Sequence, residues 1–98
     1  MSEQTERQFS DAIVELARLC GWLVHRDPTW RATATDPGYP DLTLARSKEV
    51  IFAELKVGKG KVTGPQAEWG VALPHDSNDI HYRVWRPDDW PEIEAMLR

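Results

Sequence analysis

The stretch Gly38-Tyr39-Pro40-Asp41-Leu42-Thr43-Leu44-Ala45-Arg46-Ser47-Lys48-Glu49-Val50-Ile51-Phe52-Ala53-Glu54-Leu55-Lys56 decides how this chain folds. Two short apolar runs flank the polar segment Arg46-Ser47-Lys48-Glu49, a pattern that reads as two strands joined by a tight turn. With the turn centred between Ser47 and Lys48, Ala45 lies opposite Val50, Leu44 opposite Ile51, and Asp41 opposite Glu54. Directly opposed side chains on one face stand about 5 Å apart, so this register brings two carboxylates together. Their repulsion is roughly 3 kcal/mol at an effective dielectric near 20. Lys56, two residues beyond Glu54, points to the same face and offsets part of it. A divalent cation with oxygen ligands would offset more. The register is decisive, because a turn one residue longer or shorter would carry Asp41 to the other face.

Working outward, residues 5–20 read as an amphipathic helix, with Phe9, Ala12, Ile13, Leu16, Leu19 and Cys20 at helical spacing. Thr5 and Gln8 have capping-box spacing, and Gly21 suits the exit. Glu6 lies seven residues before Ile13, so it points toward the core side of the helix head. It is either an acid favoured by the helix dipole or a member of the carboxylate group. Trp22-Leu23-Val24-His25 reads as a short strand. The long loop over 27–40 carries Trp30 and Arg31. Trp30 serves as a lid over the core or as a stacking surface for a base.

Beyond the hairpin, Gly58-Lys59-Gly60-Lys61 forms a loop in which Lys59 and Lys61 either suit phosphate or are simply solvated. It lacks the Walker spacing, which excludes a nucleotide P-loop and a nucleotide cofactor. Thr63-Gly64-Pro65-Gln66 opens a second helix running to about residue 73. Gln66 closes its capping box and stands near enough to the hairpin to reach the carboxylates. His75–Asp79 reads as a plain polar loop, with no third metal ligand at useful spacing. Ile80–Trp85 is a strand, and Trp90, Ile93 and Leu97 form the apolar stripe of a last helix capped by Asp88 or Asp89. The predicted order is αβββαβα: an α/β fold with a mixed sheet flanked by helices, in one domain over 1–98.

The bulk properties narrow the function. The chain has 98 residues, a formal net charge of −4 and one cysteine, Cys20. An internal disulfide framework is excluded, and a reducing cytoplasm is expected. No apolar run is long enough for a membrane span, and the polar start is unlike a signal peptide. The acidic balance argues against a simple basic nucleic-acid binder. The lysines gather beside the carboxylates, however, while Asp88, Asp89, Glu92 and Glu94 lie at the far end. Ser10 and Ser47 have no His/Asp relay, and Cys20 lies on an apolar helix face. Asp41 and Glu54, with the backbone carbonyl of Leu55, suit Mg²⁺ or Mn²⁺. A cation there lowers the pKa of a water and polarises a phosphoryl oxygen, and Lys56 beside it orients the water or stabilises phosphate charge.

Pro40-Asp41 followed by Glu54-Leu55-Lys56 resembles the PD-(D/E)xK nuclease signature. More of the chain agrees: Thr5-Glu6, Gly38-Tyr39-Pro40-Asp41, Phe52-Ala53-Glu54-Leu55-Lys56, Thr63-Gly64-Pro65-Gln66 with Trp69, and Trp85-Arg86-Pro87. Together these resemble the VRR-NUC branch, whose small stand-alone members are often phage-encoded. The resemblance implies a restriction-endonuclease-like fold and metal-dependent hydrolysis of DNA phosphodiesters. It implies metal binding by Glu6, Asp41 and Glu54, a catalytic Lys56, and a supporting role for Gln66. It also implies a homodimer acting on branched DNA such as four-way junctions; on that reading the cations Lys59, Lys61 and Arg31 are the expected DNA contacts. The chain departs from the pattern at His75–Asp79, where relatives carry a glycine-containing turn. The alternatives are a non-cleaving module that binds DNA junctions or protein, and a purely structural salt-bridged cluster.

Overall fold

A computed structural model describes residues 4–27 and 37–98. Arg31 and Trp30 lie outside these residues. Helix α1 spans Glu6–Leu19, and strand β1 spans Leu23–Arg26. The hairpin strands are β2, Leu42–Arg46, and β3, Glu49–Leu55. Helix α2 spans Gly64–Ala72. Strands β4, Asp76–Ser77, and β5, Ile80–Trp85, follow, and helix α3, Trp90–Leu97, comes after a single 3-10 turn over Pro87–Asp89. Among the described residues the fold is α/β, with three helices on a five-stranded mixed sheet of order β1-β2-β3-β5-β4.

The hairpin register is as expected. Leu42 pairs with Ala53, Leu44 with Ile51 and Arg46 with Glu49, so Asp41, one residue before Leu42, stands opposite Glu54. The turn is held by Ser47 and Lys48 alone, at φ 50° and 70°, the left-handed pair that a two-residue hairpin turn demands. β3 then pairs parallel with β5, from Val50↔Ile80 to Leu55↔Trp85, across the α2 connection.

Both capping boxes form. Thr5 Oγ1 accepts from the Gln8 amide at 3.1 Å while the Gln8 side chain accepts from the Thr5 amide. Thr63 and Gln66 repeat the exchange at the head of α2. Three local expectations need correction. The buried stripe of α1 is Phe9, Ile13, Val14 and Ala17, and Leu19 is exposed. At 100° per residue Leu19 lies about 160° from Ala17, so the two cannot both face the sheet. His75–Asp79 is not a plain loop: Asp76 pairs with His81 and Ser77 with Ile80 around an Asn78-Asp79 turn, both at positive φ. This strand makes the observed order αβββαββα. Asp89 does not cap α3 with its side chain; its Oδ2 accepts the Arg86 amide at 2.8 Å, closing the 3-10 turn instead.

The core lies on one face of the sheet. Leu42, Leu44, Ile51, Ala53, Leu55 and Trp85 meet Phe9, Ile13 and Ala17 of α1 and Ile93 and Leu97 of α3. Burying such a side chain contributes about 1.5–3 kcal/mol. Arg46 ties the helix ends beneath it. Its Nη1 donates to the carbonyls of Cys20 and Leu97 at 2.8 and 2.9 Å, and its guanidinium lies 4.4 Å from the Trp22 ring centre. The carbonyl ends of two helices carry partial negative charge, so one cation satisfies both.

Candidate active site

Residues alternate across a strand, so Phe52, Glu54 and Tyr82 point away from the core, toward α2. Glu54 is 1 % exposed, the one charged side chain that is buried among the described residues. It has a single side-chain partner: Gln66 Nε2 donates to Oε1 at 3.0 Å. Oε2 is buried with no hydrogen-bond partner. Asp41, across the hairpin, is held differently. Its Oδ2 accepts the amide of Leu55 at 2.8 Å. Each carboxylate is therefore pinned to the protein through one oxygen.

The electrostatics follow from this enclosure. The Glu54 carboxyl is pushed up to about 9, first by burial and then by the Asp41 carboxylate beside it; Lys56 opposes the rise and Glu6 adds to it. Glu6 is exposed at the head of α1, yet its carboxyl faces the site. Partial burial raises its pKa first, the Asp41 charge adds to that, and Lys56 opposes both. The Tyr82 hydroxyl is raised by burial and then by the charges of Glu54 and Asp41. Glu6, Asp41, Glu54 and Lys56 thus form one electrostatic unit built from α1, the start of β2 and the end of β3.

The sequence did not single out the scaffold around this unit. Gly38, at φ 83°, packs against the first turn of α2: a Cβ there would meet the Pro65 carbonyl carbon at 2.3 Å and the Gln66 amide nitrogen at 2.6 Å. Only glycine permits both the dihedral and the approach. This contact sets where α2 begins and so where Gln66 can reach. Tyr39 extends the anchor. Its ring meets Trp69 edge-on at 4.9 Å and Phe52 at 6.4 Å, arrangements favoured between aromatic rings. Further along α2, Gly70 lies against the Tyr82 ring, where a Cβ would come within 3.0 Å of the hydroxyl. The signal in the sequence was Gly38 itself, set between Pro37 and Pro40.

Of the other predicted residues, Leu55 is buried at the end of β3, and its amide donates to Asp41. Lys59 and Lys61 are exposed on the loop that leaves the site. Among the described residues, no group of three or more His, Cys, Asp or Glu side chains is arranged to hold a metal ion unaided. Two carboxylates with waters and substrate oxygens are nonetheless the usual complement for Mg²⁺. The unpartnered Oε2 of Glu54, beside a second carboxylate and on hard oxygen chemistry, fits such an ion.

Comparison with protein-family models, with curated proteins and with solved structures finds no match to this chain.

Proposed function

We propose that this protein is a Mg²⁺- or Mn²⁺-dependent endonuclease that hydrolyses DNA phosphodiesters, with the restriction-endonuclease-like fold of the VRR-NUC nucleases it resembles. The observation that carries the reading is the Asp41–Glu54 pair. Each carboxylate is fixed by the protein through one oxygen, and a buried oxygen of Glu54 has no partner. A structural salt bridge would leave no such oxygen, because an unsatisfied buried acceptor costs about 1–3 kcal/mol.

Asp41 and Glu54 would hold the cation, with Glu6 at its outer edge. Bound there, the ion would supply Lewis-acid polarisation of a phosphoryl oxygen. Gln66 fixes the rotamer of Glu54. Lys56 brings a positive charge to the carboxylates, where it would orient an attacking water and stabilise the negative charge that builds on the phosphoryl oxygens. Lys59 and Lys61 offer exposed cations for the adjoining phosphates, and Arg31 is a further DNA contact under this reading. Branched DNA is the substrate class the resemblance favours. A twofold dimer would set two sites against two strands.

The test is cleavage of an end-labelled four-way junction with Mn²⁺ or Mg²⁺. Wild-type protein is expected to nick it, and Lys56→Ala to slow nicking by about 10²–10³-fold. Asp41→Asn and Glu54→Gln should each remove most activity, and the double variant little more. No nicking by wild type with either metal, or unchanged nicking by Lys56→Ala, overturns the proposal. Mn²⁺ should also raise the melting temperature of the wild type but not of Glu54→Gln. A salt-bridged structural cluster predicts no rise in either.

A further inference from the structure

Arg86 follows the last residue of β5, and its side chain turns back over the lysine loop. Its Nη2 donates to the Gly60 carbonyl at 2.7 Å and its Nη1 to the Gly58 carbonyl at 3.4 Å. The arginine is fixed at its root as well, since its amide donates to Asp89 Oδ2 at 2.8 Å. One residue earlier, the Trp85 carbonyl accepts the amide of Lys56 at 3.0 Å. The loop closes on itself through Gly60 N–H to the Val57 carbonyl at 3.0 Å. Gly60 thereby lies beside the stem of Lys56: a Cβ built on it would stand 3.7 Å from Lys56 Cδ.

We propose that Arg86 is a positioning residue for Lys56, acting through the Gly60 carbonyl. The proposal rests on the nuclease reading for its catalytic consequence. A lysine stem has four rotatable carbons, and its ammonium is aimed only by what packs against it. The Lys56 backbone is fixed by the sheet, but its side chain leaves the sheet and is confined by the loop. Two glycines make that loop deformable, and Arg86 holds both of their carbonyls. A guanidinium committed to two carbonyls does not present the same donors to DNA. Arg86 therefore differs in kind from Lys59 and Lys61, although all three are cations on one rim.

The experiment compares wild type with Arg86→Ala in the full chain by three readouts. The first is the NMR signal of the Lys56 side-chain carbons in ¹³C-labelled, metal-free protein, with amide exchange across residues 57–61. Arg86→Ala is expected to shift and broaden the Lys56 signal and to speed exchange in the loop. The second is single-turnover cleavage of the junction at saturating protein and Mn²⁺, expected to slow by about 10–100-fold, as a misplacement near 1 Å would produce. Millimolar guanidinium should restore part of that rate. The third is junction affinity in Ca²⁺ at several salt concentrations, expected to keep its salt slope. An unmoved Lys56 signal overturns the proposal whether or not the protein cleaves DNA. A salt slope reduced by about 0.9 with an unchanged saturated rate overturns it in favour of a phosphate contact. Wild type that cleaves nothing while Arg86→Ala still shifts Lys56 upholds the positioning and removes the nuclease reading. If Arg86→Ala fails to fold, Gly60→Ala serves as the second variant. Its Cβ would crowd the Val57 carbonyl at 3.1 Å and so displace the loop that Arg86 holds, and the same signal should move.

Discussion

On one face of the sheet, Leu42, Leu44, Ile51, Ala53 and Leu55 meet two helices that bury Phe9, Ile13, Val14, Ala17, Ile93 and Leu97 against them. On the other face, Phe52, Glu54 and Tyr82 meet α2, a helix that buries none of its own residues. Strand β3 serves both. Ala53 and Leu55 fill the apolar core, while Glu54 between them is buried on the opposite side with an unsatisfied oxygen. Stability is gathered on the α1/α3 face. The α2 face carries groups that repel one another, held by a few specific contacts: Gly38 against Pro65, Tyr39 against Trp69, and Gln66 on Glu54. A fold of this size tolerates such a site only because its other face is closely packed.

The largest effect should come from the apolar face. Leu44→Ala is expected to lower unfolding free energy by about 2–5 kcal/mol in urea titration. A loss under about 1 kcal/mol would mean that this face is not where the stability lies. Next, Gly38→Ala forces a methyl into the Pro65 backbone at an unfavourable φ. It should cost about 1–3 kcal/mol and shift the NMR signal of the Gln66 side-chain amide. An unmoved signal would show that Gly38 does not set the reach of Gln66.

A pH titration reads the α2 face directly. In the unfolded chain Glu54 titrates near 4.5, and in the fold it is pushed up to about 9. Below 4.5 both states hold the proton and its contribution is fully present. Between the two values the unfolded chain has released the proton while the fold keeps it, so stability falls as pH rises. Above about 9 the loss is complete. Melting temperature of the metal-free protein should therefore carry a downward slope over this window that Glu54→Gln removes. Equal slopes in both proteins would locate the effect elsewhere. The smallest effect belongs to the outer surface of α2. Val71, 87 % exposed, should accept Val71→Lys within about 0.5 kcal/mol by the same urea titration.

What the sequence made legible was local. The capping pairs Thr5/Gln8 and Thr63/Gln66, the hairpin register and the extent of β5 follow from residues a few positions apart, where spacing alone fixes geometry. The Asp41–Glu54 convergence was readable for the same reason, since a short symmetric turn determines it. β4 was missed because two residues give no alternation to detect, although Asn78-Asp79 is a pair suited to a left-handed turn. The burial of Val14 and Ala17 in place of Leu19 was decided by how α1 sits against the sheet and α3. The amide of Leu55 reaching Asp41, Gly38 against Pro65, and Arg86 on the Gly60 carbonyl are contacts across 14 to 27 positions or brought about by the sheet. No local pattern encodes them.

The parallel pairing of β3 with β5 has a consequence for how the protein comes into being. Its partners are thirty residues apart, Val50 with Ile80 and Leu55 with Trp85, whereas the hairpin pairs close over a few. Loop-closure entropy delays distant pairs, and a parallel pair must wait for its crossover. A chain emerging from the ribosome can thus form the β2–β3 hairpin, with both carboxylates in place, before Ile80 has been synthesised. The strand that fixes the Lys56 amide, and the arginine that follows it, arrive later. Pulse-labelled hydrogen exchange during refolding should find the β2–β3 amides protected before those of β5. The nascent protein would then carry its acids well before the Trp85 carbonyl is there to hold the Lys56 amide.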